Sequence, residues 1–330
     1  MRESRTNDPS PRRPRRRRSA AASALLERLN DRDLAILETV WEHRVLTTDQ
    51  LTALYFTGVK RARRRLAELH RLHALLRQRP TPAAGTVPYR WALGPTGAAA
   101  LAAHRGVTLK ELGYRQSTTV SYLLSQKVTH QIGVNQFFIQ LHQHAHQPHT
   151  RTVLEQWWPE HRCHRAWGLH ARPDAFGRWS QHTPGRPPLA VEFFLEHDTG
   201  TETLAKVVAK LAGYTELADA TGMHTPVLFW LPGPVREANL RRLLGTPPIP
   251  VATAAYTPPT IAGGPFHTAL GGAAHHGPAG PVWLPAGATG PRYRLAALAD
   301  AWTAPDQPRT PPPPTGTPHA TGTGTGQGSG

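Results

Sequence analysis

Apolar residues recur at helical spacing in three short stretches near the start of the chain. The first stretch predicts a helix over 31–43 that Asn30 or Asp31 caps. Thr47 is followed three residues later by Gln50, which is the capping-box pattern that begins a second helix. A third helix follows the next turn. The apolar positions expected to face inward from the three helices are Leu34, Leu37, Val40, Trp41, Leu51, Leu54, Tyr55, Val59, Ala62, Leu66 and Leu69.

The pattern then changes to two short strands. Residues 74–79 predict a strand, residues 80–88 a loop rich in Pro, Gly and Thr, and residues 89–93 a returning strand. Another helix is predicted over 95–105. The order helix–helix–helix–strand–strand–helix is that of a winged helix-turn-helix, so we assign this fold to residues 30–115.

A long amphipathic pattern over 119–145 predicts one continuous helix, which we assign to a connecting segment at 116–148. After this connecting segment, the pattern of apolar residues predicts strands and helices in alternation. The predicted elements are strands over 167–179, 187–198, 226–231 and 249–256 and helices over 202–220 and 234–244. This order predicts an α/β domain over 149–256, with a mixed or parallel sheet and helices on its faces.

The two ends of the chain have compositions that do not support a packed core. Residues 1–29 form a basic arm, with eight arginines against two acids in the first 18 positions. Residues 257–330 are rich in Pro, Gly, Thr and Ala. Both ends are expected to be largely disordered, although the pieces around Trp283 and Leu295–Leu298 are expected to dock. The predicted fold class is therefore α+β with disordered ends.

The net charge of the chain indicates the kind of partner that it binds. The formal net charge is +16, and a polyanion, most commonly nucleic acid, is the usual partner for such an excess. Residues 60–79 hold eight cations and one acid on a segment with helical periodicity. We therefore predict that the third helix enters the major groove of double-stranded DNA. The candidate DNA-binding residues are Lys60, Arg61, Arg63, Arg64 and Arg65 on that helix and Arg77, Arg79 and Arg90 beside the wing loop.

A second interpretation of the same helix stays open. A helix-turn-helix can also contact protein, in which case its arginines would only be solvated. Arg61, Arg64 and Arg65 are the candidates for base edges or phosphates, and spacing alone does not decide which of them reads a base.

Composition also excludes several classes. The single cysteine, Cys163, excludes an intramolecular disulfide framework and a four-cysteine zinc site. No apolar run of about 18 residues exists, and no apolar segment follows the N-terminal arginines, so we expect a cytoplasmic protein without a membrane partner. The histidines at 142–149 and 161–170 are interpreted as surface residues, because histidine is scattered throughout the chain.

Three acids and two lysines carry the candidate chemistry of the second domain. Asp174 lies on one strand of a predicted hairpin, and Glu196 and Asp198 end the next strand. Side by side, Asp174 and Glu196 would offer oxygen ligands to a divalent cation such as Mg²⁺, with Lys206 or Lys210 assisting. The alternative is structural: the carboxylates cap the following turn and pair with Arg172 or a lysine. Both interpretations stay open.

The second domain resembles the PD-(D/E)xK nuclease core. Pro173-Asp174 is similar to the first motif of that fold, and Glu196-His197-Asp198 is similar to the second. The nuclease lysine is expected two residues after the glutamate, where this chain has Asp198. Lys206 or Lys210 of the following helix would have to replace it, and otherwise the site is degenerate.

A second resemblance spans roughly residues 29–245 and is to the bacterial replication-relaxation family. The motifs that carry it are Leu29–Leu37, Leu46–Leu51, the His-led stretch His130–Phe138, Arg172–Ala175 and Phe194–Glu202. The resemblance implies a role in the replication or relaxation of plasmids and other mobile elements. It also implies a relaxase or replication proteins as partners.

Three functions follow from these patterns. The leading one is a DNA-binding protein of the replication-relaxation type whose nuclease-like domain is degenerate. The second is an active Mg²⁺-dependent DNA endonuclease that uses Asp174, Glu196 and Lys206 or Lys210, with Asp198 beside them. The third is a winged-helix transcriptional regulator. The sequence leaves open whether the protein forms a homodimer.

Overall fold

Two sheets, each packed against helices, make up the part of the chain that the computed structural model describes, residues 27–80, 87–185, 187–256 and 277–302. The first sheet has three strands and the second has six. The predicted α+β class is confirmed. None of the helices in these ranges has the length and apolar character needed to cross a membrane.

The N-terminal unit follows the predicted order of elements. It consists of α1 (Asp31–Glu42), β1 (Leu46–Thr47), α2 (Thr48–Tyr55), α3 (Val59–Arg71), β2 (Leu75–Gln78), β3 (Arg90–Leu93) and α4 (Pro95–His104). The strands form an antiparallel sheet in the order β1-β3-β2. Sequence analysis missed β1, which is only two residues long. Most of the predicted loop between β2 and β3 lies outside the described residues.

Reciprocal caps begin the first two helices, as the sequence indicates. Asn30 caps α1, and its own backbone N–H donates to Asp33. Thr47 and Gln50 form the expected capping box of α2. The predicted inward face of α3 is largely correct, because Ala62, Leu66 and Leu69 are fully buried. Val59 is the exception: it is 37% exposed, because the first turn of α3 projects from the core.

The prediction of one helix over 119–145 is wrong. Two helices, α6 (Gln116–Leu123) and α7 (Lys127–Ala145), occupy this stretch after the short α5 (Leu109–Leu112). The chain turns at Ser125, whose hydroxyl donates to the Tyr122 carbonyl at 2.8 Å. The turn lets apolar residues on both sides of it pack into one buried cluster, an arrangement that a straight helix would prevent.

Helix α7 packs against both sheets. Gln50 of α2 donates to the Ile132 carbonyl at 2.9 Å, and Asn135 donates to the Val45 carbonyl at 2.7 Å. On another side of the same helix, Phe137 and Phe138 are fully buried in the core of the second sheet. The segment predicted as a connection is therefore part of both cores.

The second sheet is mixed, as predicted. Its strands are β4 (Thr152–Pro159), β5 (Ala175–Gln181), β6 (Leu189–His197), β7 (Val227–Pro232), β8 (Val251–Tyr256) and β9 (Leu284–Pro285), in that spatial order. The pairs β6–β7 and β7–β8 are parallel and the others are antiparallel. Its helices are α8 (Glu160–Trp167), α9 (Leu204–Ala209), α10 (Leu211–Thr221) and α11 (Pro234–Leu244), of which α8 was not predicted. The strand predicted over 167–179 is wrong in its first part, because β5 begins only at Ala175.

The predicted helix over 202–220 is also wrong as a single element, because it is interrupted at Lys210 between α9 and α10. Gly213 explains part of this geometry. A Cβ atom there would lie 2.3 Å from the His170 carbonyl oxygen, so only glycine lets α10 approach that backbone so closely. The Lys210 side chain reaches the end of β6, where it contacts Glu196.

The expected docking of two C-terminal pieces is confirmed. Trp283, Leu295 and Leu298 are fully buried against the second sheet, and β9 extends that sheet beside β8. A 3₁₀ turn (Gly277–Ala279) and the short α12 (Leu298–Ala301) complete this segment. The expectations for the N-terminal basic arm and for the remainder of the tail fall outside the described residues.

Candidate functional site

The hairpin of β5 and β6 brings the two predicted carboxylates to the same place. Ala175 pairs with Leu195 in this hairpin, so Asp174 and Glu196 follow as facing neighbours at the end of the two strands. Both side chains are largely removed from solvent. The sequence expectation that a hairpin places them side by side therefore agrees with the register of the sheet.

Asp174 is held by two donors from different elements. Its Oδ1 lies 3.0 Å from Nε2 of His130 on α7, and its Oδ2 accepts from the His197 backbone N–H at 2.8 Å. Burial by itself would raise the pKa of Asp174, but the hydrogen bond and charge of His130, together with Lys210, outweigh it and lower that pKa. The pKa of His130 is raised in turn, because Asp174 offsets the effect of its burial. Asp174 and His130 therefore favour a carboxylate–imidazolium pair.

Glu196 is held by a lysine and a tyrosine of the next helices. Lys210 Nζ donates to its Oε2 at 2.8 Å, and the Tyr214 hydroxyl donates to its Oε1 at 2.5 Å. Burial, followed by the charge of Asp174, raises the pKa of Glu196 to about 7 against the favourable effect of Lys210 and Tyr214. Lys210 also lies 3.5 Å from Glu202. Glu196 and Lys210 thus form a partly solvent-accessible ion pair at the edge of the sheet.

Asp198 makes a separate set of contacts. Its carboxylate accepts from Arg236 of α11 at 2.5 and 3.0 Å and from the Gly200 backbone N–H at 2.7 Å. The structural alternative considered from sequence is thus right about capping of the turn and about a lysine partner, since Lys210 pairs with Glu196, whereas Asp198 pairs with Arg236 and not with Arg172. Lys206 is exposed, and its side chain contacts no polar group of a described residue. Of the two candidate lysines, Lys210 is the one at the carboxylates.

These contacts decide how well the donor set suits Mg²⁺, which takes six oxygen ligands in near-octahedral geometry. All four carboxylate oxygens of Asp174 and Glu196 already have a protein partner. Within the described ranges, no group of three or more His, Cys, Asp or Glu residues could hold a metal ion. The residues as arranged do not fit Mg²⁺, and they form a network of ion pairs and hydrogen bonds instead.

Sequence reasoning missed two members of this network. His130 stands in the quoted His-led stretch but was given no role, and it reaches Asp174 only because α7 crosses the second sheet. Tyr214 is four residues after Lys210, so helical spacing could have paired the two on one face.

A second candidate surface lies on α3. Lys60, Arg61, Arg63 and Arg64 are exposed, and none of them forms an ion pair with a described residue. We call these four residues the basic face. Arg65 is different: it contacts the fully buried Asp33 at 2.5 Å and Glu68 at 2.6 Å, so its guanidinium joins α3 to α1.

Two arginines beside the loop between β2 and β3 lie close to one aromatic ring. The guanidinium groups of Arg77 and Arg79 lie 4.6 and 5.4 Å from the centre of the Tyr89 ring. Such contacts hold cationic groups at the surface without neutralising them. Arg90 is half-buried, and burial lowers its pKa. Arg77 and Arg79 are therefore the more accessible cations of this hairpin.

A comparison with protein-family models identifies the family to which the chain belongs. A family model described as replication-relaxation matches residues 37–228, which is more than half of the chain. This range contains the basic face, β5 and β6 with their carboxylates, and Lys210. Searches of the curated proteins and of the solved structures found no match. The chain therefore belongs to the replication-relaxation family.

Proposed function

We propose that the protein binds double-stranded DNA through a winged helix-turn-helix at residues 30–115 and carries a nuclease-like domain that does not cleave. Family membership supports a role related to replication. We assign that role to plasmids or other mobile elements, with a relaxase or replication protein as partner. The observation that carries the DNA-binding proposal is the basic face, four exposed cations on one helix without acidic partners among the described residues.

The arrangement of α2, α3 and the β2–β3 hairpin suits a duplex. An exposed helix of 13 residues fits the major groove, and a neighbouring hairpin reaches the flanking backbone. In this mode Arg61, Arg63 and Arg64 contact base edges or phosphates, and Arg77 and Arg79 contact phosphates. Arg65 is withdrawn from the proposed contacts, because its ion pair with Asp33 already engages it.

The lack of cleavage is proposed from the protein contacts of the carboxylates. In a nuclease site of this type, the carboxylates bind a cation that activates water. Here His130 and the His197 N–H occupy Asp174, while Lys210 and Tyr214 occupy Glu196. The position two residues after Glu196 is Asp198, which pairs with Arg236. The network ties β5, β6, α7 and α10 together, which is a structural role.

DNA binding is tested by the salt dependence of affinity for a mixed-sequence duplex. Removing a cation from one phosphate reduces the slope of log K against log salt by about 0.9, so the double variant R63A/R64A should lower it by about 2 and weaken binding at least tenfold. The variant R165A/R242A removes the same charge from exposed positions of α8 and α11 and is the matched control. Equal slopes for wild type and R63A/R64A would refute the proposal.

The endonuclease alternative is tested on supercoiled and linear DNA with Mg²⁺ or Mn²⁺. We expect no cleavage by the wild-type protein. Cleavage that E196Q and D174N abolish while K206M retains it would overturn the non-catalytic assignment. The regulator alternative is tested by mapping the bound sites in cells, where enrichment at promoters instead of at replication origins would favour it.

A further inference from the structure

A cavity of about 220 Å³ lies where α1, β3, α6 and α8 meet. It is smaller than the roughly 300–1,000 Å³ of sites for drug-sized ligands, so it suits a small molecule or one unit of a polymer. Its apolar wall includes Trp41 and Leu93, and its polar lining includes Arg44, Arg115 and Thr118. An apolar wall with a few convergent polar groups is the usual composition of a ligand site.

The lining of this cavity is positively charged. Arg44 and Arg115 are both exposed, and neither forms an ion pair with a described residue. No lining residue is acidic. The nearby acid Glu42 faces Arg162 instead, at 3.9 Å. Two arginines that converge on one space without carboxylates attract an anion.

His161 lies in the lining of this cavity and responds to the same charges. Burial, and then the charges of Arg44, Arg165 and Arg162, lower the pKa of His161 to about 4. The Nδ1 atom of His161 is buried and has no hydrogen-bond partner among the described residues. A buried polar atom without a partner is costly unless a ligand or water satisfies it. The neutral imidazole is therefore available as a further polar contact.

The position of Arg44 is held by its surroundings. Its guanidinium lies 5.2 Å from the centre of the Tyr122 ring, and its backbone has a φ of 65°. The left-handed region is uncommon for residues other than glycine and is found where the neighbouring structure requires it. Arg44 is thus positioned beside the cavity by both its backbone and its side-chain contact.

The cavity lies away from the proposed DNA-binding face. Strand β3 runs from Arg90 beside the wing loop to Leu93 at the cavity, a distance of about 10 Å at the usual rise per residue. A duplex that lies on α3 and the wing loop would contact the Arg90 end of this strand. The cavity is at the other end of the strand, where the N-terminal unit meets α6 and α8.

We propose that this cavity binds a nucleotide, with the phosphate on Arg44 and Arg115 and the base against Trp41 and Leu93. The planar apolar wall suits a base, and the arginine forks suit phosphate oxygens. The ligand is a free mononucleotide or the 5′-phosphorylated end of a single strand, which share this chemistry. The site does not depend on duplex binding by α3.

The test is calorimetric titration of the full chain with deoxyadenosine 5′-monophosphate, deoxyadenosine, inorganic phosphate and a 5′-phosphorylated single-stranded oligonucleotide. We expect saturable one-to-one binding of the monophosphate or of the oligonucleotide, and at least tenfold weaker binding of deoxyadenosine. Binding of the oligonucleotide alone would identify a strand end as the ligand. Binding of the free monophosphate would identify the mononucleotide.

The variant R44N/R115Q should weaken this binding at least tenfold, since asparagine tolerates the left-handed backbone at position 44. R63A/R64A, which changes the basic face, should leave it unchanged. Conversely, R44N/R115Q should retain duplex affinity, so failure of this site and failure of the proposed function are distinguishable. No saturable binding of either ligand at millimolar concentration, or equal binding by wild type and R44N/R115Q, would overturn the proposal.

Discussion

Lys210 Nζ lies 2.8 Å from Glu196 Oε2, and Lys210 itself stands between α9 and α10 with a helical backbone. In the sequence, Lys206 and Lys210 are four positions apart, the spacing of one helical turn. The structure distinguishes them: Lys210 reaches the buried carboxylate and Lys206 stays in solvent. A pair of this kind contributes less by attraction than it costs when one partner is removed.

We expect the raised pKa of Glu196 to contribute a loss of stability as pH increases from about 4.5 to 7. Four histidines with lowered pKa values, His43, His142, His161 and His197, contribute a gain over the lower part of the same range, so the effect of Glu196 is measured as a difference between two proteins. A carboxyl group whose pKa rises from 4.5 to about 7 on folding binds a proton more tightly in the folded state. Its stabilising contribution is complete below pH 4.5 and is lost as pH rises through 7. The loss is up to about 3 kcal/mol, at 1.36 kcal/mol per pKa unit.

Urea unfolding across this pH range, with EDTA present, measures the effect. E196Q removes the contribution of Glu196, because glutamine keeps the Tyr214 contact and does not titrate, so the unfolding free energy of wild type relative to that of E196Q should fall as pH rises from 4.5 to 6.5. The raised pKa of His130 acts in the same direction, and only as pH rises above 6.5. The lowered pKa of Asp174 acts below its ordinary value of 3.8, outside this window. Parallel curves for E196Q and wild type would contradict the expectation.

Arg65 should support the fold more than it supports DNA binding. Substitution by alanine leaves the fully buried Asp33 without its cation, and breaking a buried ion pair costs about 3 kcal/mol. R63A, on the exposed side of the same helix, should change the unfolding free energy by less than about 0.5 kcal/mol. Equal losses of stability in the two variants, measured by urea unfolding, would count against this division of roles.

The buried His197 side chain should tolerate only glycine at position 133 of α7. A Cβ atom on Gly133 would lie 1.8 Å from His197 Nε2, so G133A forces the buried imidazole to move. Overpacking of this kind costs about 1–3 kcal/mol, whereas helix propensity alone would favour alanine by about 1 kcal/mol. In an H197A background the same substitution should be neutral or stabilising, and thermal unfolding of the four proteins measures the coupling. Stabilisation by G133A in the wild-type background would refute the contact.

The side chain of Asn135 should join α7 to the N-terminal unit. It is fully buried, donates to the Val45 carbonyl at 2.7 Å and accepts from Gln131 at 2.9 Å. N135A leaves the buried carbonyl of Val45 without this donor and should lower the unfolding free energy by about 1–3 kcal/mol. Q126A, at an exposed position just before α7, is the control and should have little effect. A stability loss in N135A no larger than in Q126A would argue against this role.

Local patterns predicted the N-terminal unit well because its elements are short and self-contained. The caps at Asn30 and Thr47 are formed by residues three positions apart, so the signal lies within one turn. The apolar period also predicted α3 and α11, with α11 bounded by Pro234 and Leu244 as expected. It predicted the hairpin that brings Asp174 opposite Glu196, since alternation and strand order are local properties.

The two wrong predictions of a single helix, over 119–145 and over 202–220, share one cause. Apolar periodicity continues across Ser125 and Lys210, and only packing against other elements breaks the helices there. For the same reason, sequence alone could not decide between a cation site and an ion-pair network at the carboxylates. His130 reaches Asp174 from 44 positions away along the chain, and Arg236 reaches Asp198 from 38.

The sequence by itself determined the fold class, most elements of the N-terminal unit, the concentration of positive charge on α3 and the pairing of the two acids at a hairpin end. Each of these depends on neighbours within a few positions, through helical or strand periodicity and the local density of charge. The tertiary structure decided which cations stay available. Arg65 and Lys210 are engaged by Asp33 and Glu196, while the basic face has no acidic partner among the described residues, because desolvated carboxylates bind the cations that packing brings within reach.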